Sequence, residues 1–357
     1  MNVKTEESQL FELTRNLIDI PSVTGEEGEV SRFLASRLAG LGYEVETQEI
    51  APHRANVLAR VAGARARVVL STHMDTVPPH VASSEDADFI HGRGACDAKG
   101  IIAAQIAAAE RLRAEGVEGI GLLFTVDEEM GSDGARAANG HAWGRDCRFL
   151  VNGEPTGNRL AAGTKGSLRV RLTASGREAH SAYPERGDSA IEKLLGVLSD
   201  IRAHSWRRDD FFGETTCNVG TISGGTRPNV VAAEAAADLQ FRLVTSAREV
   251  KEALGRIAGG RVGVEYLSEN EPIRLATVEG FEQEVVRFTT DIPYLANWGA
   301  PLLVGPGSIL VAHTLEERVA KRELAEAVGI YTRLARTLLA RAPEAADGGA
   351  NAGGAAR

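Results

Sequence analysis

Val68-Val69-Leu70-Ser71-Thr72-His73-Met74-Asp75 is a short apolar run that ends in an imidazole and a carboxylate, and its reading decides the fold. The same pattern returns three times. Leu122-Leu123-Phe124-Thr125-Val126 leads into Asp127-Glu128-Glu129, Phe149-Leu150-Val151 into Asn152-Gly153-Glu154-Pro155, and Ile309-Leu310-Val311 into Ala312-His313-Thr314. Short apolar runs of this kind read as strands, and an open α/β sheet presents its ligand-binding loops at the carboxyl ends of its strands. A fifth candidate, Asp97, sits in Gly92-Arg93-Gly94-Ala95-Cys96-Asp97-Ala98-Lys99-Gly100, just before a long Ala- and Ile-rich helical stretch. Two histidines with several carboxylates suit zinc or a similar divalent ion.

Working outward, Leu10, Leu13, Leu17 and Ile20 recur at helical spacing until Pro21 stops them, and a second helix is expected from about Glu26 to Leu41 before Gly42. Strands follow around Tyr43 to Ile50 and Asn56 to Val61, and a helix over Ile101 to Arg113 follows Asp97. Strand and helix thus alternate, which favours a largely parallel sheet. After Glu154 the pattern changes. Strand candidates at Leu168 to Thr173, Thr216 to Ile222, Val231 to Val244 and Arg261 to Tyr266 interleave with helices at Ser189 to Ile201 and Arg248 to Ile257. That strand-helix-strand-strand-helix-strand order is the ferredoxin-like split βαβ arrangement. It is inserted, because apolar α/β patterning resumes at Leu302-Leu303-Val304 and ends with a helix from about Lys321 to Leu339. The expected fold is therefore α/β, with residues 1–160 and 271–341 forming one domain around an insertion at 161–270. Residues 342–357, rich in Ala and Gly, read as a disordered tail.

A chain of 357 residues exceeds what one core usually holds, in keeping with two domains. Its net charge of -9 argues against nucleic acid or an anionic membrane as the main partner, so an anionic substrate has to be met by local Arg, Lys or metal. Cys96, Cys147 and Cys217 are scattered and odd in number, and the acidic start lacks an apolar leader; both point to a cytoplasmic protein with reduced thiols.

Each site residue has an ordinary use as well. His73 could bond a backbone carbonyl, Asp97 could cap a helix, Glu128 and Glu129 could be a solvated loop, Glu154 could start a turn and His313 could cap a strand. All five ordinary uses would have to coincide at one edge of one sheet, which makes a shared site the better reading. In His73-x-Asp75, one residue can bind metal while the other orients it. Asp97, Glu129 and Glu154 bring three negative charges to two dications, with Asp97 bridging them and Glu128 left as general base.

These segments, together with Ala179-His180-Ser181 and Gly305-Pro306-Gly307-Ser308, resemble the co-catalytic dinuclear-zinc amidohydrolases. That family includes acetylornithine deacetylase, succinyl-diaminopimelate desuccinylase, aminoacylases, carboxypeptidases and dipeptidases. The resemblance spans most of the chain in the family's order. It implies two Zn2+ (or Co2+ or Mn2+), one held by His73, Asp97 and Glu154, the other by Asp97, Glu129 and His313. Asp75 would orient His73, and Glu128 would be the base. The insertion becomes a lid and dimerisation domain of a homodimer, and its His180 would stabilise an oxyanion in the partner's site. Asn229 and Arg242 resemble residues that grip a substrate carboxylate. The segments after His313 and after Asn229-Val230-Val231 depart from the common pattern, which bears on substrate choice. Phe288-Thr289-Thr290-Asp291 resembles the acetylornithine deacetylase branch, so the leading expectation is a deacetylase of N-acetyl amino acids serving amino-acid biosynthesis. A dipeptidase or carboxypeptidase is the alternative, and a catalytically silent binding relative is a third reading, disfavoured because every ligand and Glu128 are kept.

Overall fold

The computed structural model describes residues 3–341, so the expected tail lies outside the described residues. In chain order the elements that place the site are α1 (Val3–Ile18), α2 (Gly28–Gly40), β1 (Tyr43–Ala51), β2 (Arg54–Val61), β3 (Val68–His73), α3 (Lys99–Ala114), β4 (Ile120–Thr125), α4 (Asp133–Ala138) and β5 (Phe149–Asn152). Then come β6 (Gly166–Ser175), α5 (Ala190–Ala203), β7 (Thr216–Gly224), β8 (Glu234–Leu243), α6 (Ala247–Ala258) and β9 (Gly263–Asn270), and last β10 (Ala300–Leu303) and α7 (Lys321–Ala340).

The first sheet has the order β1-β2-β4-β3-β5-β10. Its β4, β3, β5 and β10 run parallel, and the β1-β2 hairpin adds antiparallel at the β4 edge. β3 and β4 are buried along their whole length, which is why their sequences are apolar without alternation. Helix α3 packs against β3, α1 and α7 at once. A helix enclosed on several sides needs small side chains, and its Ala103, Ala104, Ala108 and Ala109 are buried.

The inserted segment folds as a four-stranded antiparallel sheet in the order β7-β8-β6-β9. Counted within the insertion, that is second, third, first, fourth, the ferredoxin-like arrangement the sequence pattern predicts. Leu168, Val170 and Leu172 alternate inward with Leu239 and Phe241 to form a separate core under α5 and α6. Ser189 starts α5 by accepting the Glu192 N–H, and Gly259 ends α6 with a φ of 54°. The opposite sheet face is polar. The two chain segments that carry the insertion also pair with each other: Leu160–Thr164 runs antiparallel to Ile273–Arg274, with Ile273 opposite Thr164 and Arg274 opposite Gly163.

One strand expectation fails. Ile309-Leu310-Val311 is a turn, not a strand, and Leu310 is 85% exposed. Gly305-Pro306-Gly307 lifts the chain off the sheet after β10, with Gly307 at a φ of 88°, and the apolar residues that follow find no layer to join. His313 therefore reaches the site from a long loop beyond β10.

Candidate metal centre

His73 is the last residue of β3. Its Nδ1 lies 3.0 Å from the Asp75 carbonyl oxygen and 3.5 Å from Asp75 Oδ1, while its Nε2 lies 3.0 Å from Asp97 Oδ1. The other Asp97 oxygen, Oδ2, is 3.2 Å from His313 Nε2, which is in turn 3.1 Å from Glu129. Asp97 thus spans the two imidazoles with different oxygens. It is not a helix cap: α3 begins after Ala98 with no side-chain cap. His73, Asp97 and Glu129 each offer a ligand atom within 4.8 Å of the others.

Asp75 orients the ring chiefly through its carbonyl oxygen. Its carboxylate has a second task, accepting the backbone N–H groups of Glu128 and Glu129, each at 3.1 Å, and the Thr24 hydroxyl at 2.8 Å. That ties the acidic loop after β4 to the end of β3. The loop turns at Asp127, whose φ is 69° and whose carboxylate is held by Arg54 at 2.9 Å. The turn resolves the difficulty of two adjacent glutamates, because off the strand both Glu128 and Glu129 line one cleft.

Glu154, just past β5, is buried, and its Oε1 has no hydrogen-bond partner. A buried carboxylate oxygen left unpaired is costly, and a cation supplies what it lacks. The rest of the cluster fits the same demand. Burial, then the charge of Glu154, pushes Glu128 well above the usual carboxylate range. Burial alone would lower His73, but its hydrogen bonds to Asp75 and Asp97 outweigh that and raise it. Hydrogen bonds to Asp97 and Glu129 push His313 up to about 10. The crowded carboxylates that draw both imidazoles upward mark a place that favours positive charge, and with their protons released the two rings and the carboxylates are nitrogen and oxygen donors suited to a divalent ion.

Three neighbours of the site were not singled out in the sequence as ligands or catalytic groups. Glu317, buried, accepts the backbone N–H groups of Gly94, Asp97 and Cys96 at 2.9, 3.2 and 3.3 Å through Oε1. Its Oε2 meets Arg93 at 2.5 Å, and Arg93 also donates to the Thr314 carbonyl. The loop holding Asp97 and the loop holding His313 are joined through this one carboxylate. Asp291, buried and pushed up to about 6 by that burial, receives the Thr125 hydroxyl at 2.8 Å.

Above the cluster opens a cleft of about 490 Å³. Asp97, Glu128, Glu129, Glu154 and His313 form its acidic floor, and Arg169, Gln240 and Arg242 from the polar face of the inserted sheet line its other side. Burial lowers the Arg242 guanidinium, and among the described residues it has no ion-pair partner. His180 and Asn229 are exposed and do not line this cleft; His180 forms a β-bridge with Val230.

An α/β sheet with a histidine and carboxylate cluster at its strand ends, under an inserted α+β layer, is the architecture of a metal-dependent hydrolase. The chain belongs to peptidase family M20/M25/M40, whose sequence profile matches residues 69–337. A Peptidase M20 domain-containing protein of Schizosaccharomyces pombe is 37% identical, with 91% of this chain and 84% of that protein aligned. A probable carboxypeptidase of Paracoccidioides brasiliensis is 35% identical over 94% of this chain and 86% of its own. Among solved structures, a Staphylococcus aureus tripeptidase superposes with a TM-score of 0.76 at 21% identity, covering 92% of this chain and 99% of that one. An M20 family metallo-carboxypeptidase from Sulfolobus solfataricus gives 0.73 at 17% identity, covering 95% and 99%. At such identities these two establish the fold alone. No helix among the described residues is long and apolar enough to cross a membrane.

Proposed function

We propose that the protein is a dinuclear-metal hydrolase that cleaves the amide bond preceding a free α-carboxylate, releasing the terminal amino acid of a short peptide. The observation that carries this is Arg242, half-buried and without an acidic partner among the described residues, across the cleft from the carboxylate cluster. A guanidinium left unpaired there is matched by a substrate carboxylate. Relatives named as probable carboxypeptidases favour a peptide over the acetylated amino acid first expected, and N-acyl amino acids remain the second reading because they present the same amide and carboxylate.

In this reading His73, Asp97 and Glu154 hold one ion and Asp97, Glu129 and His313 the other, with zinc the first choice and cobalt or manganese as substitutes. The ions would supply Lewis acidity and a water that ionises near neutrality. Glu128 takes the proton from the attacking water and returns it to the leaving amine, a role supported by its place in the cleft beside the carboxylate cluster. Asp75 fixes His73 and the acidic loop together. Residues 1–160 and 271–341 act as the catalytic part and 161–270 as the lid. His180 and Asn229 serve the site of a second copy in a homodimer, a role supported by their exposure and by β7, an edge strand that shows Val219 and Ile222 to solvent. The free thiols support a cytoplasmic setting. A panel of N-blocked dipeptides, N-acetyl amino acids and C-terminally amidated dipeptides, assayed on metal-reconstituted protein, tests this. Free-acid dipeptides should be cleaved and their amides should not. Equal cleavage of the amides would remove the carboxylate from recognition.

A further inference from the structure

Arg242 has a neighbour of the same sign. In the pairing of β6 with β8, Gln240 faces Arg169 and Arg242 faces Ser167, so the two arginines stand diagonally on one sheet face. Diagonal neighbours lie roughly 7–8 Å apart, within joint reach of long side chains. Both line the cleft above the acidic floor. The next arginine along β6 on that face, Arg171, is paired with Asp238 at 2.8 Å, whereas Arg169 and Arg242 have no hydrogen-bond or ion-pair partner among the described residues. The chain carries 49 acidic against 40 basic residues, so partners were not scarce. The carboxylate that Arg169 does feel, Asp238, is engaged by Arg171 and lies beyond ion-pair distance of Arg169; the two adjacent guanidiniums repel each other, and their free N–H forks match two carboxylates.

We infer that the substrate is a dicarboxylate: a short peptide ending in glutamate or aspartate, its α-carboxylate on the half-buried Arg242 and its side-chain carboxylate on the exposed Arg169. This rests on the proposed function and names its substrate class. Both carboxylates belong to the leaving amino acid, because both arginines stand on one patch of the lid sheet. Arg136, the third arginine of the cleft, is held over the Tyr294 ring at 3.8 Å and donates to the Gly131 carbonyl, so it walls the pocket instead of reaching into it.

N-acetylglycyl-glutamate, N-acetylglycyl-glutamine and N-acetylaspartyl-glutamine compared on the reconstituted enzyme decide the matter. The first and second differ only in the side-chain charge, and the third moves that charge across the scissile bond. The expected kcat/KM for the glutamate peptide is at least about tenfold above each of the others. Arg169→Gln should bring the glutamate-to-glutamine ratio to within about twofold of one, with metal content and melting temperature unchanged. Calorimetry with the products gives a second reading without turnover, and L-glutamate should bind about tenfold tighter than L-glutamine to the wild type only. A wild-type ratio near one, a preference for the aspartyl peptide, or a ratio that survives Arg169→Gln would overturn the inference. Were no peptide cleaved at all, the proposed function would fall, and the calorimetric comparison would still judge the two arginines.

Discussion

Glu128 is the residue whose chemistry is most exposed to test, because it lines the cleft and the proposed function gives it no ion to hold. Glu128→Gln should keep both metal equivalents by elemental analysis and lose turnover by about 10²- to 10⁴-fold, since an amide can neither accept nor return the proton. Near wild-type turnover would take Glu128 out of the mechanism. Lys99 offers a test on stability. It is fully buried, its Nζ donates to the Ile20 carbonyl at 2.5 Å, and burial lowers it from 10.5 to about 7. Between those values the unfolded lysine still holds a proton that the folded one has released, so stability rises with pH across that window; below about 7 the buried charge is carried in full. Melting temperatures of the wild type and Lys99→Met, measured from pH 6 to pH 9.5, should show the wild type gaining on the variant by several degrees as pH rises; parallel curves would contradict it. At this scale the sequence was legible wherever a polar group ends an apolar run. Glu317, Arg93 and Asp291 were not, because a buried carboxylate that binds backbone N–H groups leaves no periodic trace.

Among the elements, the loop from Gly92 to Asp97 has no regular structure of its own to hold it, and Glu317 takes that place. Glu317→Gln keeps the volume but replaces an anion that meets three N–H groups and Arg93. Metal affinity should fall by about 10- to 100-fold, the usual cost of losing the support behind a ligand, with a drop in melting temperature. Competition with a chromogenic chelator measures the affinity, and an unchanged value would make Glu317 merely structural. Helix and strand positions followed closely from the sequence because α1 and α5 carry a helical period and β3 is a short unbroken apolar run with a polar end. The Ile309 run misled for the opposite reason: apolar composition without a partner layer does not make a strand, and Gly305-Pro306-Gly307 had already redirected the chain.

For the whole molecule, the insertion was legible because the order of its elements, not any single one, defines it. Which cleft its histidine serves was not legible, since in the proposed homodimer that depends on the contact between two copies. His180→Ala and Glu128→Gln proteins, each inactive alone, should regain up to roughly a quarter of wild-type sites after subunit exchange, because half the dimers are mixed and each mixed dimer has one complete site. Verified exchange without recovery would return His180 to its own chain. The paired segments at Gly163–Thr164 and Ile273–Arg274 add a mechanical condition on any such closure. A single tether would let the lid swivel freely, but two strands laced edge to edge form a strap that bends across its flat face and resists twisting and sideways shear. Arg169 and Arg242 would then descend on the metal cluster along one arc and arrive each time in the same register.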